Sequence, residues 1–214
     1  NRSYFPMMQY VEDTFISTYI TKDKKLEILV LGAGGFTLGL QDDRNNYTFV
    51  DLDPDLKDIA EARFLRQRLG PNKAYYAIPA RAFLNGLQTR YDLIFVDLFN
   101  GSEDTPEHLV TREFFQQIKG TVRPGGVIVG NFVVSPHFAS RLSIRLDNTL
   151  RSVFPQLMRQ VMAPYNPWQA HNDTAIANVL YIYFDRPGAS QDVYTDLKNP
   201  SAFDRRRGYF KIMP

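Results

Sequence analysis

The chain has 214 residues, of which 44% are hydrophobic and 22% charged, with a net charge of +2 and no cysteine. That length suits one domain with a short appendage around a single core. The near-neutral balance excludes a strong field for holding nucleic acid or acidic lipid, and the lack of cysteine excludes disulfides, thiolate nucleophiles and cysteine-ligated metals while fitting a reducing compartment.

No apolar run approaches the roughly 18–20 residues of a membrane span, and no signal-peptide pattern opens the chain. The first residue is Asn1 rather than Met, as expected of a processed or shortened product, so an upstream segment, a membrane region included, stays open. Residues 1–25 read as an N-terminal extension.

Leu26 to Leu31 is a short apolar run closed by Gly32-Ala33-Gly34-Gly35, the pattern of a buried parallel strand and its tight turn. Phe36 to Gln41 is expected to start a helix. Tyr47 to Asp51 is a second strand. Pro54 suits the first turn of a helix that continues through Leu56, Ile59, Ala60, Arg63 and Phe64 and stops at Gly70-Pro71. A weaker strand covers Ala74 to Ile78, and a short helix Arg81 to Leu87. Leu93 to Val96 is the clearest strand and ends at Asp97. A polar loop from Asn100 to Pro106 leads into a helix around Arg112 to Lys119. Pro124-Gly125-Gly126 turns into the strand Val127 to Val129, and Arg141 to Phe154 is helical. Leu157 to Ala163 and Asn178 to Phe184 read as a closing antiparallel pair. The segment from Pro187 is polar and rich in turn residues.

Strands alternating with helices predict a doubly wound, Rossmann-like α/β domain over residues 26–186. It has three αβα layers and a mostly parallel sheet with a C-terminal antiparallel pair. Residues 187–214 form a tail. Ligands of such sheets sit beyond the carboxyl ends of the strands, at the switch point of strand order. That rule gives the glycine turn, Asp51 and Asp97 a common address.

Gly32-Ala33-Gly34 supplies the first two glycines of the dinucleotide fingerprint, but Thr37 stands where the third would be, which argues against a nicotinamide or flavin cofactor. Asp51 ends the second strand about 20 residues after the first glycine, the offset at which a carboxylate accepts ribose hydroxyls. Together they point to an adenosine-containing ligand. Asp53 and Asp55 suit the start of the following helix. Asp97 sits at the mouth of a buried strand, where a partly desolvated carboxylate can hold or deprotonate an amine, pair with a sulfonium, or simply cap the loop. His108, His137 and His171 show no metal-ligand spacing, and no metal is expected. Trp168 either roofs a pocket or anchors its loop.

Four segments carry a resemblance. They are Ile28 to Gly35, Phe49 to Asp55, Tyr91 to Asp97 and Val122 to Val127. In this order and spacing they resemble class I S-adenosylmethionine-dependent folds. Tyr91 to Asp97 followed by Leu109-Val110-Thr111-Arg112-Glu113-Phe114-Phe115 is similar to the spermidine synthases, the polyamine aminopropyltransferases.

The resemblance implies a co-substrate, S-adenosylmethionine or its decarboxylated form, bound by Gly32, Ala33, Gly34, Gly35, Asp51, Leu52, Arg81 and Ala82. It makes Asp97 the acceptor of the attacking amine's proton and places Gln9, Asn100 and Tyr165 on the substrate side. It also implies a polyamine as small-molecule substrate, a homodimer, a small N-terminal lid domain of which residues 1–25 hold a remnant, and cytoplasmic placement. Some relatives join this domain to a membrane-embedded N-terminal part. The chain departs from the family pattern at three carboxylates. The glycine loop has none, the acid expected three residues after Asp97 is Asn100, and no acid stands near Pro79-Ala80, where the adenine-facing one belongs. A methyltransferase, or a nucleoside-binding module without activity, therefore stands beside the aminopropyltransferase as an alternative.

Overall fold

Runs rich in β-branched and aromatic residues form seven strands in a computed structural model that describes residues 6–19, 24–99, 105–162 and 176–185. The strands are β1 (Glu27–Leu31), β2 (Asn46–Asp51), β3 (Lys73–Ala77), β4 (Tyr91–Val96), β5 (Val122–Val134), β6 (Met158–Val161) and β7 (Ala177–Phe184). They make one sheet in the order β3-β2-β1-β4-β5-β7-β6. The pairs β1–β2, β2–β3, β1–β4 and β4–β5 are parallel, and β7 runs antiparallel to both β5 and β6. This is the expected doubly wound sheet with its closing antiparallel pair. Strand order reverses between β1 and β4, which makes their carboxyl ends the switch point.

All six residues of β4 are buried, as befits a strand covered on both faces. Alternation along the strands separates two cores. Leu29, Leu31, Ile94, Val96 and Ile128 face α3 (Ala80–Leu84), α4 (Arg112–Thr121) and α5 (Arg141–Val153). The latter two helices begin on capping side chains: Thr111 accepts the Phe114 N–H at 3.3 Å, and Ser140 accepts the Ser143 N–H at 3.2 Å. Ile28, Val30, Phe49, Leu93, Phe95, Val127 and Val129 face the other way. There α2 (Leu56–Ile59, continued by π-type turns over Ala60–Leu65) meets α1 (Pro6–Val11, continued by π-type turns over Glu12–Tyr19).

The residues from Phe36 to Gln41 form turns, not the expected helix. Phe36 takes a left-handed φ of 54° and buries its ring edge-on against Phe49 and Tyr75, with centroids 5.1 and 5.2 Å away. That backbone cannot continue a right-handed helix. The sheet face that such a helix would cover is filled by α1 instead, through Met8, Val11 and Phe15, all buried. Glu12 ties the two segments by accepting the Gly39 N–H at 2.7 Å. Burial outweighs that bond and raises the Glu12 carboxyl above its ordinary range. At the start of α2, the Asp55 side chain makes no capping bond, and Asp53 accepts the Asp55 N–H at 2.9 Å.

The amino end of β4 is held by a buried charge. Asp92 accepts from Lys24 at 2.8 Å, Arg123 at 2.5 Å and the Glu27 N–H at 2.9 Å. Burial by itself would raise this carboxyl, but these donors outweigh it and hold the group below the usual carboxylate range.

The packing of Phe15, 1% exposed, makes α1 part of the core. Phe15→Ala is expected to lose about 3–5 kcal/mol in a urea unfolding titration. A loss under ~1 kcal/mol would mean that α1 only rests on the domain.

Candidate functional site

Three strand ends meet at the switch point. Gly32 leaves β1 with φ +90°, a region that L side chains rarely adopt. Its N–H donates to the Val50 carbonyl of β2 at 2.9 Å, while the Asp97 N–H after β4 donates to the Leu31 carbonyl at 2.8 Å. Gly32 also lies against the Asp97 backbone, so closely that an added Cβ would overlap the Asp97 carbonyl oxygen. Glycine is thus required here for two separate reasons, the angle and the contact.

Asp51 ends β2 with its carboxylate folded back on the turn. Oδ2 accepts the Ala33 N–H at 2.9 Å and Oδ1 accepts the Leu52 N–H at 2.7 Å. Each oxygen keeps a further lone pair. Leu52 and Ile78, just beyond β2 and β3, expose apolar side chains beside it (67% and 38%). The Tyr75 hydroxyl donates to the Asp53 carbonyl. Burial, with the Asp51 and Asp53 charges, pushes the Tyr75 phenol up to about 12. No neighbour would crowd a side chain added at Gly34, so that part of the turn is open.

Asp97 is partly buried and follows Val96 on the same sheet face as Leu93 and Phe95. Burial pushes its carboxyl up to about 6, against a single opposing hydrogen bond from Asn131. That bond, Asn131 Nδ2 to Asp97 Oδ1, is 2.8 Å long. Asn131 stands next to Asp97 because Val96 pairs with Gly130 of β5. The strand expected over Val127 to Val129 runs on through Asn131 to Val134. A polar amide inside the apolar run Val127-Ile128-Val129-Gly130-Asn131-Phe132-Val133-Val134 is the sequence signal for a residue that the motif reading passed over.

The other expected site residues are placed unevenly. Arg81 is committed to the protein, since its guanidinium donates to the His108 carbonyl at 2.7 and 3.0 Å and to Thr111 Oγ1 at 2.6 Å, and lies over the Phe114 ring. Ala82 is exposed on α3. Gln9, on α1, donates to Asp13 at 3.5 Å. Two residues earlier on that helix, Met7 reaches Asn131. Asn100, Tyr165 and Trp168 lie outside the described residues, as does the tail.

The Asp97 carboxyl gives a testable stability effect. Its folded-state value lies above the ordinary carboxylate value, so its charge destabilises the fold as pH rises from ~4 to ~6 and remains a full penalty above that window. Asp97→Asn is expected to raise thermal stability at pH 7 by about 1–2 kcal/mol. The gain should fade below pH ~4, and calorimetry at both pH values checks it.

Known proteins are similar to this chain in sequence and in fold. Residues 19–167 match the spermine/spermidine synthase domain. A polyamine aminopropyltransferase of Vibrio vulnificus is 34% identical over 159 residues, which cover 72% of this chain and 50% of the relative. A polyamine aminopropyltransferase 2 of Pseudomonas aeruginosa is 27% identical over 147 residues, 64% of this chain and 42% of the relative. The chain thus spans about half the length of these curated relatives. Among solved structures, a probable spermidine synthase of Corynebacterium glutamicum superposes with a TM-score of 0.68 at 22% identity, over 94% of this chain and 70% of the other. Human methyltransferase-like protein 13 in complex with SAH gives 0.61 at 20% identity, over 86% and 82%. These two likenesses show the fold. The domain match covers more than half of the chain, which belongs to the spermine/spermidine synthase family.

Proposed function

We propose that this domain transfers an aminopropyl group from decarboxylated S-adenosylmethionine to a polyamine. The observation that carries the reading is Asp97, a partly buried carboxylate whose backbone packs against the glycine turn, with β1 between its strand and that of Asp51. Asp51 would receive the ribose hydroxyls on its remaining lone pairs, Leu52 and Ile78 would flank the adenine, and the open face at Gly34 would admit the sulfonium end. The neutral amine nitrogen attacks the aminopropyl carbon bonded to sulfur. The carbon–sulfur bond breaks with its electron pair on sulfur, releasing methylthioadenosine, and Asp97 takes the proton that the amine gives up. Holding both reactants at the switch point supplies much of the acceleration. Cytoplasmic placement and a homodimer belong to this reading and rest on the resemblance.

Methyl transfer is the second reading, and one observation favours it. Gly32 to Phe36 present no carboxylate for the aminopropyl amine, so the α-carboxylate of intact S-adenosylmethionine would meet no repulsion there.

Thermal stabilisation by each nucleoside, with and without putrescine, separates the readings. A ligand at ~100 times its Kd adds about 2.7 kcal/mol. Preference for the decarboxylated form, with spermidine detected by mass spectrometry, is the expected result. Tighter binding of the intact form without polyamine product would favour methyl transfer, and no response to any nucleoside would leave a module without this chemistry. In the active enzyme, kcat/KM is expected to fall as pH drops through about 6, because a protonated Asp97 cannot accept the amine proton. Asp97→Asn should remove that limb and lower kcat roughly 10²–10⁴-fold. Full turnover by this variant would remove the base assignment.

A further inference from the structure

Asn131 is 1% exposed, and its two ends are treated very differently. Both hydrogens of Nδ2 are used, one on Asp97 Oδ1 at 2.8 Å and one on the Met7 sulfur at 3.0 Å. The carbonyl oxygen Oδ1 is buried and has no hydrogen-bond partner among the described residues. Buried polar atoms are nearly always satisfied, so a bare acceptor calls for a partner such as a water or a group of a ligand. Of the five bare atoms among the described residues, only this one belongs to a side chain bonded to Asp97. An ionised Asp97 also fixes the orientation of the amide, since a flipped carboxamide would set oxygen against oxygen. The amide nitrogen therefore stays on the carboxylate, and the oxygen of the same amide stays the bare end.

We propose that Asn131 is a two-sided positioning residue of the amine site: its Nδ2 holds the Asp97 carboxylate, and its free Oδ1 accepts an N–H from the primary amine that attacks. This rests on the aminopropyl-transfer reading and adds the second point at which the nucleophile is held.

The chemistry explains why an amide suits this position. A neutral primary amine carries two N–H bonds and a lone pair. With one N–H directed at Asp97 and the other held by Asn131, the lone pair takes the remaining tetrahedral direction and faces the electrophile. As the new carbon–nitrogen bond forms and the carbon–sulfur bond breaks, Asp97 takes the proton of the N–H it holds. A carboxylate in place of Asn131 would stabilise the ammonium and keep its proton on, since a second negative charge favours the charged amine. A neutral acceptor orients the amine without that penalty.

The surroundings of Asp97 make the effect readable. Among the described residues, α1 contributes Met7 through the amide, β5 contributes Asn131, and the end of β1 contributes the Gly32 backbone, all uncharged. Asp51 ends β2, with β1 between it and Asp97. The Asn131 bond is thus the principal stabiliser of the ionised form.

Two measurements on the full chain test the proposal. The first follows the Asp97 carboxyl carbon by NMR from pH 4 to 8 in the wild type and in Asn131→Ala, and needs no turnover. The variant is expected to titrate at higher pH, and an unchanged titration overturns the role toward Asp97. The second compares steady-state kinetics with putrescine for Asn131→Ala and the near-isosteric Asn131→Asp. Both variants should lose roughly tenfold to a hundredfold in kcat/KM for the amine, with methylthioadenosine binding unchanged as the check that they fold. Asn131→Asp should also move the acid limb of the profile upward, as two carboxylates sharing one site require. Folded variants with wild-type kcat/KM and an unmoved limb overturn the role toward the amine. A wild type that turns over no diamine overturns the reading on which this role rests, and the NMR titration then decides the Asn131–Asp97 half by itself.

Discussion

The approach of Gly32 to the backbone of Asp97 is the contact on which the site depends. It brings the end of β1 against the end of β4 at the point where strand order reverses. From there, hydrogen bonds carry the arrangement outward. The Gly32 N–H reaches β2, and the Ala33 N–H reaches the Asp51 carboxylate. Both candidate carboxylates are thereby referred to one turn of main chain. Main-chain contacts of this kind leave little rotamer freedom, which is what a site requiring fixed distances needs.

One strand carries two carboxylates with opposite behaviour. Asp92, near the amino end of β4, is surrounded by Lys24, Arg123 and a backbone N–H, and is stabilised as an anion. Asp97, just past the carboxyl end, has one amide donor and an apolar floor, and its proton is held up to about 6. Desolvation acts on both, and the supply of donors decides the sign. Asp92 ties Lys24 and β5 to the base of the strand. Asp97 is left near the range where proton exchange is easy, which is the division of labour expected when two similar groups serve different ends.

Much of this fold was legible in the sequence because the central strands are covered on both faces. Continuous apolar runs such as Leu93 to Val96 leave no ambiguity about burial, and Gly32 and Asp97 mark where they stop. Surface and loop segments carried less information. Phe36 to Gln41 was expected to start a helix, yet the segment forms turns, and the left-handed turn that puts Phe36 against Phe49 and Tyr75 is a tertiary outcome that no local propensity encodes. The place of Asp51, at the end of β2 beside the glycine turn, was legible from its offset. Asn131 was not, because its meaning comes from the strand beside it. Arg81 was expected on the nucleoside side from the resemblance alone; its guanidinium bonds the segment between β4 and α4, a tertiary contact that no local pattern marks.

The hydrogen bond from Asn131 to Met7 spans 124 positions of sequence. Such a contact cannot form until the chain between has been gathered in, and the entropy of closing so long a loop is recovered only when the partner surface already exists. The closing contact of α1 on Asn131 therefore waits until β5 lies beside β4, and before then Met8, Val11 and Phe15 lack the full cover that they have in the folded domain.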